Sequence, residues 1–130
     1  MIALTVRVVD EFRRIETAAE AATRRYLFKA AGYLGTVARQ SIRRSGRPAA
    51  PGRPPHTQTG RLKNAIRFYV DRARQLALIG PTVDVVGIAG AEHEHGGRRR
   101  AEDFPPRPFM GPALQKTRPK LPELYRQSFK

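Results

Sequence analysis

DEFRRIETAAEAATRRYLFKAAGYLGTVARQSIRR, residues 10–44, holds no proline and places apolar side chains every three or four positions. The stripe runs through Phe12, Ile15, Ala19, Ala22, Tyr26, Ala30, Tyr33 and Val37, and Leu27, Leu34, Ala38 and Ile42 widen it. That spacing is one face of an α-helix. Asp10 and Glu11 suit its start, where the backbone carries partial positive charge. At 1.5 Å per residue such a helix is about 50 Å long. That is longer than the core of a 130-residue chain can cover. The sequence therefore predicts either a break near Gly32 or Gly35, or an end that packs on another subunit.

On the N-terminal side, Ile2, Leu4, Val6 and Val8 alternate with other residues, the pattern of a short strand. No basic leader precedes an apolar block, so no signal peptide is expected. On the C-terminal side, residues 45–59 contain four prolines and two glycines and almost no large apolar side chain. Such a stretch reads as an exposed, semi-extended loop or arm. It is expected to be mobile or extended alone, to order against a neighbour, and to be the first site of proteolysis. Beyond Gly60 the period changes to two. Ile66, Phe68 and Val70 alternate with Arg67, Tyr69 and Asp71, and further strands are expected at Leu76–Ile79 and Val83–Ile88. The segment after Pro112 returns to helical spacing in Leu114, Leu121, Leu124 and Tyr125, interrupted by Pro119 and Pro122, which predicts two short helices. Together these elements predict one α+β domain over residues 1–130. Its long N-terminal helix packs on a small three- to four-stranded, mostly antiparallel sheet, with a short helical segment at the C-terminus.

The charge is strongly one-sided: 25 Lys+Arg against 11 Asp+Glu, a formal net charge of +14. Such a chain repels its own copies unless something offsets the charge, and nucleic acid is the commonest polyanion to do so. There is no cysteine, which excludes a disulfide scaffold, a thiol nucleophile and a cysteine zinc site. No apolar run approaches the roughly 20 residues of a membrane span, so no membrane partner is expected. Basic residues cluster at Arg24-Arg25, between Arg39 and Arg47, and at Arg98-Arg99-Arg100. Arg43, Arg44, Arg47, Arg53, Arg98, Arg99 and Arg100 are the candidates to face DNA or an acidic partner. The planar guanidinium suits phosphate and carboxylate alike. No recognition helix, zinc finger or RNA-recognition pattern accompanies them, which points to sequence-blind backbone contact. The plainer reading of each cluster is a solvated face or an ion-pair network.

Glu92-His93-Glu94-His95 invites a metal reading. Two histidines two positions apart point about 200° from each other on a helix, whereas a shared metal needs them four apart. On a strand they would share a face, which leaves a site completed by another element open. No Gly-x-Ser-x-Gly elbow, phosphate-cradling glycine loop or paired acid and base is legible. No catalytic residue, cofactor or metal is therefore assigned, and the chain is expected not to be an enzyme.

Three ordered stretches carry a family resemblance: Thr59-Gly60-Arg61-Leu62-Lys63-Asn64-Ala65-Ile66, His93-Glu94-His95-Gly96-Gly97, and Pro106-Arg107-Pro108-Phe109-Met110-Gly111-Pro112-Ala113-Leu114. In order and interval they resemble the HK97 gp10-like family of phage tail-completion proteins, a layout shared with the minor tail protein Z group. The resemblance covers about residues 30–125. It implies a virion structural protein that assembles in the bacterial host cytoplasm into a homo-oligomeric ring, commonly hexameric, at the head-proximal end of the tail. The implied neighbours are the tail tube and the head–tail connector proteins, with packaged DNA in the channel. Gly60, Leu62, Glu94, Gly96, Pro108, Phe109 and Leu114 are then packing and interface residues. Gly96-Gly97 would make a sharp turn with positive φ. Phe109, Met110 and Leu114 would anchor the last helix on the sheet. Two other readings stay open: a free-standing, sequence-nonspecific nucleic-acid-binding module, and a metal-dependent hydrolase using His93 and His95.

Overall fold

The computed structural model describes the backbone of residues 2–99 and 101–130, and the side chains of residues 11–98 and 101–130. The fold is α+β. Helix α1, Ile2–Ser41, is a single uninterrupted element. Neither glycine breaks it. A Cβ at Gly32 would meet nothing, and one at Gly35 would reach only the Arg39 guanidinium. A helical glycine costs about 1 kcal/mol relative to alanine without forcing a bend. Residues 2–8 belong to this helix and not to a strand. A strand there would need a partner for its amides and carbonyls, whereas a helix satisfies its own.

After α1 the chain forms β1, Arg43–Arg44, and returns as β2, His56–Thr57, which pairs with it in parallel. Helix α2, Arg61–Ala65, leads into the hairpin of β3, Ile66–Asp71, and β4, Leu76–Pro81. Helices α3, Val83–Val86, and α4, Ala89–His95, follow. A second hairpin joins β5, Gly97–Arg99, to β6, Glu102–Phe104. Helix α5, Met110–Thr117, one 3-10 turn at Arg118–Lys120 and α6, Leu121–Gln127, end the chain. Pro119 and Pro122 each sit in the first turn of a new segment, where the missing amide hydrogen breaks no bond, so the C-terminal helical region is divided into short pieces.

The strands are distributed over three two-stranded pieces instead of one sheet. The expected strand at 83–88 is helical. Pro81 closes β4, Asp84 lies in the first turn of α3, and Gly87, with φ 59°, stops the helix. Four residues of valine-rich sequence thus fold locally, the amides of Val85, Val86 and Gly87 bonding back to the Thr82 and Val83 carbonyls. Helix α4 lies close against the end of β4, since a Cβ at Gly90 would overlap the Pro81 ring.

The core forms where α1, the β3–β4 hairpin and α5 meet. Leu34, Ala38 and Ile42 of the α1 end pack with Leu62, Ile66, Phe109 and Ala113. Phe28 meets Phe68 edge-on, extending the contact along α1. A second cluster fixes the C-terminus: Tyr26 stacks edge-on to Tyr125, and Tyr125 to Phe129. Beside it, the Arg25 guanidinium donates to the Ser128 carbonyl at 2.6 and 2.9 Å. Toward the N-terminus of α1 the described residues 11–18 are exposed. Phe12 and Ile15, three apart on one helix face, are 69% and 66% exposed.

Candidate functional site

Of the three ordered stretches that carry the family resemblance, 59–66 and 106–114 place Leu62, Ile66, Phe109 and Ala113 in this core, and 93–97 is joined to it through Glu94. Gly60, at φ 84°, turns the chain into α2 and lets Leu62 be buried. Phe109 is fully buried, and Pro108 before it is half-buried. Glu94 ties the second stretch to the third. Its Oε2 accepts from the Phe109 and Met110 amides at 2.9 and 3.0 Å, and its Oε1 from the Gly111 amide at 2.8 Å. These are the free amides at the start of α5, where negative charge is favoured. Gly111 leaves room for the clamp, since a Cβ there would stand 3.0 Å from Oε1.

Gly96 has φ 73°, as the turn requires, whereas Gly97 opens β5 without positive φ. A Cβ at Gly96 would come 2.9 Å from the Phe104 carbonyl oxygen. Leu114 departs from expectation. It is 46% exposed, while Ala113 takes the buried position, and Phe109 and Met110 pack α5 into the cluster that joins the end of α1 to Ile66 and Ile79 of the β3–β4 hairpin.

The proline- and arginine-rich loop is docked on its own domain. Ala49 and Pro55 are buried. The Gly52 amide donates to the Pro106 carbonyl, and Arg107 Nε donates to the Ala49 carbonyl at 2.7 Å. His56 Nδ1 lies 2.8 Å from the Arg47 carbonyl. A carbonyl only accepts, so Nδ1 carries the proton. The expected free arm is thus a strapped loop. Its compensation for lacking a core is hydrogen bonding to the 105–107 segment.

The candidate arginines divide into separate groups. Arg43 and Arg53 line one surface cleft of about 540 Å³ with Gln40, Ser41, His56 and Lys116. Arg44, next to Arg43 in β1, instead donates to the Gln58 carbonyl at 3.1 Å. Arg47 lines an adjoining cleft with His56, His93 and Arg107. Arg98 lies apart on β5 and pairs with Asp103 at 3.8 Å, both side chains being exposed. The Arg99 side chain and Arg100 lie outside the described residues.

Other arginines, not among the candidates to face DNA or a partner, hold the fold. Arg39 donates to the Ile66 carbonyl, Arg61 to the Val85 carbonyl, and Arg107 to that of Ala49. Lys116 belongs to the cleft although nothing basic adjoins it in sequence, because α5 packs beside the end of α1. Only the tertiary packing exposes these roles.

His93 and His95 stand two apart on α4, so the helix directs them to different sides. His93 is half-buried and its pKa lies below the usual 6.5. Burial is the main cause, the Arg107 charge adds to it, and Glu92 partly opposes it. No group of three or more potential metal ligands occurs among the described residues. The serine hydroxyls all bond to backbone: Ser41 donates to Ala38, Ser128 donates to Leu124, and Ser45 accepts from the Arg47 amide. No helix among the described residues is long and apolar enough to cross a membrane.

No family model, curated protein or solved structure matches this chain significantly.

Proposed function

We propose that this chain is a structural virion protein of a tailed phage or prophage, forming a ring at the head-proximal end of the tail. The observation that carries the reading is the junction made by Glu94. It joins the second and third stretches of the family resemblance, while the first delivers Leu62 to the same core. Three sequence stretches that resemble one family thus act as one architectural unit here.

Surface chemistry supports assembly as the mode of action. Phe12 and Ile15 stand exposed toward the N-terminus of α1, and the cross-strand pair Tyr69 and Leu78 is 65% and 64% exposed on the β3–β4 hairpin. Apolar side chains grouped in this way mark interaction surfaces. A second subunit is the proposed cover, and the tail tube and connector proteins are the proposed neighbours. The net charge of +14 suits a ring around a channel through which DNA passes.

The alternative, a free-standing module for sequence-nonspecific nucleic-acid binding, draws on the cleft of Arg43 and Arg53. It leaves the exposed apolar residues without a role, and the assembly reading is preferred for that reason. The experiment is localisation in particles. A tagged copy should decorate the head–tail junction of tails made in the host cell. Copies found only on free nucleic acid, and none on tails, would contradict the proposal.

A further inference from the structure

We infer that the cleft between the end of α1, the 45–59 loop and α5 is a binding site for the phosphodiester backbone of double-stranded DNA, complete within one subunit. Arg43, Arg53 and Lys116 bring three full positive charges to it, with Gln40, Ser41 and His56 as polar neighbours. Among the described residues no carboxylate lines it. Among the described residues none of these three cations has a side-chain hydrogen bond or an ion pair, although other arginines of the same chain are engaged.

The dimensions make this arrangement unfavourable without an anion. A volume of 540 Å³ corresponds to a cube about 8 Å on a side, about one Debye length at physiological salt. Across a cleft of that size salt screens the three cations from one another only in part. The C-terminal end of α1 adds opposite charge, but only about half a unit, against three full ones. The net field of the cleft is positive.

The lining selects the anion. Small-molecule pockets are mostly apolar with a few placed polar groups. This one has the reverse balance, and its apolar wall consists of Ala49, Ala50 and Pro54. Among the described residues no Phe, Tyr or Trp lines it, and the His56 ring is tied through Nδ1 to the Arg47 carbonyl, so the broad stacking faces usual for single strands are missing. Duplex DNA instead presents closely spaced phosphates, enough to meet three cations at once. Contacts of this kind position the duplex and read no sequence.

The inference concerns single subunits and stands apart from the ring proposal. Binding of a fluorescent 20-base-pair duplex to the full chain is measured against salt, in parallel with the mass of the assembly. The test variant is Arg43→Gln with Arg53→Gln and Lys116→Gln. The control removes equal charge elsewhere, by Arg13→Gln, Arg14→Gln and Arg72→Gln. All six side chains are exposed, so the fold should be retained. Losing three phosphate contacts should lower the slope of log affinity against log salt by roughly 2.7, at about 0.9 per phosphate. The control slope should stay near wild type, and the cleft variant should keep the wild-type assembly mass. Equal losses in both variants would overturn the inference, as would tighter binding of a polyglutamate peptide than of the duplex. Loss of assembly in the cleft variant with unchanged DNA binding would also overturn it, and would assign the cleft to a subunit contact.

Discussion

Glu94 accepts the Phe109 amide at 2.9 Å, and through that bond α4 holds the start of α5 in the core. The same carboxylate takes the next two amides of the helix. Hydrogen bonds to a charged acceptor contribute more than neutral ones, and a lost helix cap alone costs about 1 kcal/mol. Glu94→Ala should therefore lower the unfolding free energy by about 2–3 kcal/mol in urea titration. Glu94→Gln should cost less, because its carbonyl oxygen still accepts. A change below about 0.5 kcal/mol for Glu94→Ala would show that the clamp is not a fastening.

Gly96 and Gly32 should respond in opposite directions to alanine. At Gly96 the backbone has φ 73°, and a Cβ would press on the Phe104 carbonyl and the Pro106 nitrogen. Gly96→Ala should destabilise by about 2 kcal/mol or more, combining the backbone penalty with the contact. At Gly32 a Cβ meets nothing within 4 Å, inside a continuous helix. Gly32→Ala should stabilise by about 0.5–1 kcal/mol. Thermal unfolding of the two variants checks both signs.

The helix stripe, the Ile66–Phe68–Val70 face and the paired C-terminal helices were legible in sequence because each is a local periodicity. The strand assigned to 83–88 was not, since four valine-rich residues fit a buried strand and a short helix equally. What decides between them is how the segment packs on α2 and α4, and that is a tertiary fact. The docked loop was illegible for a similar reason. Its hydrogen-bond partners, Pro106 and Arg107, lie more than 50 residues away. Among the candidate site residues, Gly60 and Gly96 have local turn roles that short sequence stretches can carry, whereas the partners of Glu94 and Phe109 come only from the tertiary fold. Leu114 was misplaced by one position, Ala113 being the buried neighbour. The cluster between Arg39 and Arg47 did not stay one cluster in space, because Arg43 and Arg44 point into different surroundings.

The loop strap makes a proteolytic prediction. Elastase should cut slowly between Ala49 and Ala50 in the intact chain, because Ala49 is buried and held through its carbonyl by Arg107. Arg107→Ala should speed that cut several-fold while the helices resist. Rapid cleavage of the unaltered chain at this bond would show that the loop is free.

His93 should make the fold sensitive to acid. Its folded-state pKa lies below the 6.5 of the free side chain, chiefly through burial and then through Arg107. Below pH 6.5 the unfolded chain takes up a proton that the folded chain does not, until the lower folded value is passed. Stability contributed by this group is therefore present above 6.5 and declines as the pH falls below it. His93→Gln should flatten that part of the stability–pH curve. An identical curve for the variant would remove His93 as the cause.

The central claim, that the chain acts by assembling, is tested most directly by native mass spectrometry of the purified protein, with Phe12→Asp plus Ile15→Asp as the companion variant. A closed oligomer is expected, at about 88 kDa for six copies of 14.6 kDa. The variant should fall to smaller species while keeping its helical content, since both side chains are exposed in the single subunit. A 14.6 kDa monomer at every concentration, both alone and with isolated tails, would contradict the account.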